Sequence, residues 1–215
     1  MTEERLTPEL ARAVDEWAAA EDVRCVYLEA FDEPETVRAA SAHGWDLVEP
    51  RVRITHRRGT PLGLDHACGV AVRERRPDDD PQLRELARRT EYQTRFVFDE
   101  RFPRERLSDY HAAWIDFADA VLVVEDAGAL LGYITCKLPA SGADASLGIV
   151  AVADAAKGGP VASALLVRAV EWCQGQGMET VSVDVAARNV VTQRYVQRHG
   201  FRTSRFRLWF HRWYP

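Results

Sequence analysis

Two short stretches of this chain hold residue types that could do chemistry. The first is "AAKGGPVASA", Ala155 to Ala164. It sets Lys157, Gly158 and Gly159 just ahead of a helical pattern with Pro160 suited to its first position. A helix N-terminus leaves backbone N–H groups unpaired and carries the positive end of the helix dipole. Small residues let a phosphate come close to that backbone, and Lys157 adds a cation. The stretch therefore reads as a pyrophosphate cradle built on Gly158, Gly159, Val161 and Ala162. A tight turn into a buried helix would share the same pattern. It is neither a Walker loop nor a dinucleotide fingerprint. The second stretch is "RNVVTQRYVQRHGF", Arg188 to Phe201. Asn189 opens it with one of the best N-cap side chains. Tyr195, in its middle, is either a proton donor or an aromatic that fills space.

The elements around these stretches follow from periodicity. "ASLGIVAVA" is an almost wholly apolar strand, expected at the centre of a sheet with both faces buried. "GGPVASALLVRAVEWCQGQG" is the clearest helix, with Ala162, Leu165, Leu166, Ala169 and Cys173 on one stripe and Gly175 and Gly177 as its stop. "METVSVDVA" alternates as a strand, and Asn189 opens the next helix. The chain ends in a long strand: Phe206, Leu208 and Phe210 point one way, Arg207, Trp209 and His211 the other. Upstream, "AVLVVED" and "LLGYITCKL" form a hairpin turned at Gly128. "CGVAVRER" is a strand candidate, and "PQLRELARRTEY" is helical. "RERLSDYHAAWIDFADA" is read as one helix whose Leu107, Tyr110, Trp114 and Ala118 share a face, with Trp114 in the core. Before a Gly- and Pro-containing seam at Arg57 to Gly69 lies a helix near 7–20, a strand "VRCVYLEA", a helix near 33–43 and a strand "WDLVEPRVRITH". No internal repeat is evident. The organisation expected is a small α/β lobe over 1–66, packed on a second domain over 67–215.

Composition narrows the function. The 215 residues are 47% hydrophobic and 28% charged, with a formal net charge of −5. That balance suits a globular protein and argues against nucleic-acid binding. No run approaches the roughly 18 apolar residues of a membrane helix, and the acidic, polar N-terminus is not a signal peptide. Cys25, Cys68, Cys136 and Cys173 are scattered, so a metal site is not expected. They read as buried reduced thiols of a cytoplasmic protein.

The order strand, Gly/Pro loop, helix, strand, Asn, helix resembles the GCN5-related N-acetyltransferase (GNAT) family, over about residues 68–215. Its loop pattern, Arg/Gln-x-x-Gly-x-Gly/Ala, falls on Lys157, Gly158, Gly159, Pro160, Val161 and Ala162, with Pro160 in place of the central glycine. Its later motif falls on Asn189, Thr192, Tyr195, Gly200 and Phe201. The resemblance implies an α/β (α+β) fold with a mixed, mostly antiparallel sheet splayed at the central strand. It implies acetyl-CoA as donor, with the backbone of Ile149 to Val152 (Ile149, Val150 and Val152 above all) pairing with the pantetheine arm. By the same resemblance an oxyanion-stabilising N–H would lie near Val150, and Asn189 would bind the cofactor arm. The family's tyrosine, the proton donor to the leaving thiolate, stands seven residues after the Asn. Here Tyr195 stands six after Asn189 and Val196 holds the seventh place, so the ring should point beside the sulfur.

The segments "TRFVFDERFP…YHAAWI" and "LWFHRWYP", with the small N-terminal lobe, resemble the dTDP-fucosamine acetyltransferase branch. That implies a small-molecule acceptor, the amine of a nucleotide-linked 4-amino-4,6-dideoxy sugar. Arg95, Phe96 and Tyr110 would contact it, and Asp99, Asp144 and His111 would flank it as base candidates. Trp209 and His211 would line the acceptor cleft or an interface, and the aromatic last strand is a candidate homodimer contact. A peptide or antibiotic amine as acceptor, and a non-catalytic acyl-CoA-binding regulatory domain, stand as alternatives.

Overall fold

The alternating residues at the end of the chain form β8 (Arg202–Trp213), a long strand flanked on both sides by strands from the beginning of the chain. The structure is a computed structural model that describes residues 6–63 and 69–215. One eight-stranded sheet runs through it in the order β1-β8-β2-β7-β6-β5-β4-β3. The remaining strands are β1 (Cys25–Phe31), β2 (Asp46–Arg57), β3 (Val72–Glu74), β4 (Ala120–Asp126), β5 (Ala129–Lys137), β6 (Asp144–Val152) and β7 (Thr180–Ala186). All neighbours are antiparallel except β6 and β7. β1 and β2 thus extend the same sheet as everything after the seam. The boundary expected at 66/67 lies outside the described residues, as does Cys68.

The helices follow the apolar stripes. α6 (Val161–Gly175) buries Leu165, Leu166, Ala169 and Cys173 against Val52, Ile54, Leu122 and Ile134, joined by Val196 of α7 (Val190–Arg198). α1 (Pro8–Ala20) and α2 (Pro34–Ala42) cover Ala30, Leu208 and Phe210 on the same side. On the opposite side, α3 (Asp80–Arg89) and α5 (Arg104–Ala113) pack on Val121, Val123 and Tyr133. A short helix, α4 (Arg95–Phe98), lies between them in sequence. The single helix expected over "RERLSDYHAAWIDFADA" ends at Ala113 and tightens into a 3-10 turn, Trp114–Phe117. Its tighter winding turns Trp114 and Phe117 outward, 41% and 70% exposed, so Trp114 is not core. Cys136 and Cys173 are buried free thiols, whereas Cys25 is only half-buried. No helix among the described residues is long and apolar enough to cross a membrane.

Contrary to the sequence reading, the chain contains an internal repeat. Helix–strand–helix–strand occurs as α1-β1-α2-β2 and again as α6-β7-α7-β8. A shift of 156 positions takes His43-Gly44-Trp45 onto His199-Gly200-Phe201. The two copies meet about a local two-fold axis. β2 pairs with β8 so that Arg51 faces Arg207, its own repeat mate, while the pair Asp46–His211 maps onto Thr55–Arg202. The two register shifts, at Val48 and at Ser204, are also mates. The outer strands follow the same symmetry with a shift of 155, because the loop between the first strand and second helix of the later copy is one residue longer: Tyr27 faces His211 as Ser182 faces Thr55. Gly44 and Gly200 end the second helix of each copy at φ +69° and +84°, the left-handed C′ conformation that favours glycine. A Cβ at Gly200 would stand 2.6 Å from the Pro61 carbonyl oxygen.

Candidate active site

The cleft begins where the only parallel pair separates. β6 and β7 are in register from Asp144–Thr180 to Leu147–Val183 and no further. Beyond that, β6 follows β5 to Val152 and β7 follows β2 to Ala186. The strand expected to be buried on both faces is therefore open along one edge, with Gly148 and Val150 exposed. Its departure starts at a bulge. Gly148 and Ile149 together face Thr135, whose Oγ1 accepts the Ile149 N–H at 2.8 Å. A Cβ at Gly148 would lie 2.5 Å from that same Oγ1, so the bulge needs glycine. The Ile149 and Ala153 N–H groups turn toward β5. By strand alternation, Val150 and Val152 present their N–H and C=O groups to the open side. An extended ligand arm can pair there as an added strand, and Val150 offers the amide expected of an oxyanion donor.

The cradle stands at one end of this cleft. Lys157, Gly158, Gly159 and Pro160 are all exposed. Pro160 is the N-cap rather than the first helical residue, with φ −77° and ψ −9°, and its carbonyl accepts the Ala164 N–H. Among the described residues no side chain caps α6, which leaves the amides of Val161, Ala162 and Ser163 available to an anion. Lys157 is not a free cation: its Nζ is 2.6 Å from Asp154 Oδ1. Asn189 does cap α7, accepting the Thr192 N–H through Oδ1 at 3.1 Å. Its Nδ2 has no protein partner among the described residues and remains a donor. Val196 points into the core at 2% exposure. Tyr195 is half-buried, its ring 4.9 Å from that of His199. Its hydroxyl lies beside Ser163 on the first turn of α6 without a hydrogen bond of normal geometry, and burial pushes its pKa up.

Across the sheet, Arg95, Phe96, Tyr110 and His111, four of the six residues expected at the acceptor, form one aromatic cluster. Phe96 is buried, with Phe102 at 5.0 Å, Tyr110 at 4.8 Å and Tyr27 at 5.6 Å in edge-on contacts. The Arg95 guanidinium lies 3.8 Å from the Trp209 ring centroid and 4.2 Å from that of Phe96, with no acidic side chain bonded to it among the described residues. His111 is buried, 4.3 Å from the Tyr92 ring, its Nε2 unpartnered. Asp99 is fully engaged: Arg101, His211 Nδ1 at 2.7 Å and Trp213 Nε1 at 2.8 Å share its oxygens. Those donors hold its carboxyl well below the ordinary range against the opposing effect of burial. Asp99 therefore orients His211 instead of facing an amine. Asp144 is at the closed end of the β6–β7 pair, bonded to Thr180 and Ser182, and cannot serve as a base in the cleft. β8 is no sheet edge. A cavity of about 420 Å³ opens beside α4, lined by Asp46, Leu47, Val48, Phe98, Arg101 and Arg188. Among the described residues no His, Cys, Asp or Glu group is arranged to hold a metal.

The profile of the acetyltransferase (GNAT) family matches residues 81–201, more than half of the chain. The protein belongs to the GNAT family. Solved structures agree on the fold. A GNAT from Kribbella flavida superposes with a TM-score of 0.70 at 12% identity, over 95% of this chain and 74% of that one. A tandem GNAT protein from the clavulanic acid biosynthesis pathway gives 0.69 at 14% identity, over 95% and 69%. A GNAT from Sphaerobacter thermophilus gives 0.66 at 16% identity, over 95% and 67%. No protein among those of curated function matches. The donor of this family is acetyl-CoA, and the splayed edge, the uncapped helix and the free Asn189 amide fit its arm and its diphosphate.

Sequence reasoning missed several parts. Thr135, which holds the bulge, looks like any strand threonine. Glu49 and Tyr27 come from the N-terminal copy and reach the cluster only through long-range strand pairing. The one available signal for Glu49 was a carboxylate embedded in an otherwise strand-like run.

His111 gives a prediction for stability. Burial pushes its pKa down to about 4, below the roughly 6.5 of an unfolded histidine. The unfolded chain therefore binds the proton first as pH falls. The contribution is fully present above pH 6.5 and is lost between about 6.5 and 4, on the order of 3 kcal/mol. Thermal unfolding followed across that window should show a steeper loss in the wild type than in His111→Gln. Parallel profiles would show that His111 is not held neutral.

Proposed function

We propose that this protein acetylates the amine of an amino sugar carried on a nucleotide, with acetyl-CoA as donor, by direct attack within a ternary complex. The observation that carries the reading is the Arg95 guanidinium, held on the faces of Phe96 and Trp209 with no acidic side chain bonded to it among the described residues. A guanidinium so placed suits a phosphate, and the surrounding rings suit a base or a sugar face. Acetyl-CoA supplies the acetyl group and takes away the electron pair as thiolate.

The chain's own residues do the rest. The exposed edge at Val150 and Val152 fixes the arm, Val161 and Ala162 offer amides to the diphosphate, and Asn189 Nδ2 donates to the arm. The Val150 N–H faces the thioester oxygen as charge develops there. Tyr195 holds a proton for the leaving sulfur. The amine must reach the thioester unprotonated, because an ammonium has no lone pair; it gives its proton to solvent before it attacks the thioester carbon, and the C–S bond breaks with its electron pair leaving on sulfur.

The test is thiol release from acetyl-CoA with a panel of amines: dTDP-4-amino-4,6-dideoxy sugars, spermidine, an N-terminal peptide and an aminoglycoside. Turnover of the sugar nucleotide above the others is expected. Turnover of peptide or aminoglycoside alone would overturn the acceptor class. Tight CoA binding without turnover of any amine would favour a regulatory acyl-CoA-binding role.

A further inference from the structure

Glu49 is a buried acid with an unmet oxygen. Its side chain is fully buried, Oε1 accepts from Arg51 Nε, and Oε2 has no partner among the described residues. A buried carboxylate oxygen without a donor is costly and calls for an explanation. Directly across the β2–β8 pair stands Trp209, whose indole Nε1 is also without a partner among the described residues. Over the Trp209 ring lies Arg95, its Nε buried and unpartnered as well. Three unmet hydrogen-bonding atoms thus gather around one indole, and a cation already occupies the ring face beside a carboxylate. An aromatic face next to a carboxylate oxygen is the arrangement that receives an ammonium ion.

The repeat sharpens the assignment. The mates of Glu49 and Trp209 are Arg205 and Arg53. Arg205 is exposed, and Arg53 pairs with Asp184 through two bonds of 2.9 and 2.7 Å. The two-fold symmetry that fixes the backbone is broken in chemistry at this end, which is also where the cleft opens: the Ala187 N–H, just past the end of β7, bonds to the carbonyl of Pro50, next to Glu49.

We infer that Glu49, contributed by the N-terminal copy, binds the ammonium of the incoming acceptor, which takes the place of Arg95 over Trp209. Arg95 contacts the ring faces there and makes no ion pair or side-chain hydrogen bond among the described residues, so it can turn to the acceptor's anionic group once an ammonium faces Glu49. The inference rests on the N-acetyltransferase reading and adds to it a residue from outside the 81–201 family match.

The test is Glu49→Gln, which keeps the shape and the Oε1 bond to Arg51. For an amine that the wild type turns over, KM for the acceptor should rise about tenfold or more, with KM for acetyl-CoA changed less than about twofold. The same panel of amines is titrated calorimetrically into CoA-saturated protein, so that binding is read even without turnover. Acceptor affinity that stays within about twofold of wild type would overturn the role of Glu49. So would a CoA-saturated wild type that binds none of the amines. Amine binding that depends on Glu49 but leads to no turnover would instead count against the N-acetyltransferase reading. Unchanged CoA affinity in Glu49→Gln certifies the fold.

Discussion

Ala162→Asp is expected to lower the affinity for acetyl-CoA about 100-fold while raising the melting temperature slightly. The two effects have opposite signs because one place serves two purposes. α6 begins without a side-chain cap, and Ala162, its second residue, is partly exposed. A carboxylate there meets the unpaired amides and the positive end of the dipole, worth about 0.3–1 kcal/mol to the free protein. It also occupies the ground a diphosphate needs. Two like charges about 4 Å apart repel by about 4 kcal/mol at an effective dielectric constant of 20, more than enough for a 100-fold loss. Calorimetric titration with CoA and a thermal melt of the same sample check both halves. An affinity loss under about threefold would place the diphosphate elsewhere. Asp154→Asn makes the complementary case: it frees the Lys157 ammonium from its 2.6 Å pairing, so affinity should rise.

What could be read from the sequence was local. The cradle, the stripe of α6 and the alternation of β8 each lie within one continuous stretch, where a period of 3.6 or 2 reports directly on burial. The splay was expected only through family likeness, since nothing in "ASLGIVAVA" distinguishes a strand with two neighbours from one that loses a neighbour halfway. The two-fold centre was harder still. Its sequence trace is little more than His-Gly-Trp at 43–45 against His-Gly-Phe at 199–201. The symmetry is carried by registers and bulges, which many different side chains satisfy. Asp144 and Asp99 show the converse limit. Both are acids in segments that flank a cleft, yet one sits at the closed end of the strand pair and the other is consumed by three donors. Spacing in the chain does not reveal which acid keeps a free oxygen. Glu49 does, and its partners lie across a strand pairing and in α4, far away in sequence.

Tyr195→Phe is expected to lower kcat about 100-fold with little change in KM for acetyl-CoA, the loss typical of a missing general acid. The one-residue offset from the family spacing does not by itself move the hydroxyl out of use. Val196, at the family's tyrosine position, is enclosed by the core between α6 and β2. A tyrosine at 196 would have to force itself into that packing, at a cost of about 1–3 kcal/mol or more. We propose that the aromatic hydroxyl works instead from the adjacent position on α7, beside the first turn of α6. Burial raises the Tyr195 pKa above that of an ordinary phenol, so its proton is retained throughout the pH range in which the amine is deprotonated. The leaving thiol, with a pKa near 8.5, is a stronger acid than this phenol, so full proton transfer to the free thiolate is uphill and the hydroxyl acts by hydrogen-bonding the sulfur as negative charge builds on it. Its benefit then comes from position: the proton waits where the sulfur departs. The kcat of the wild type should accordingly show no alkaline decline from Tyr195 up to about pH 9. A fall of less than about threefold in Tyr195→Phe would assign the ring to packing against α6 and His199, and would leave the thiolate to depart unassisted.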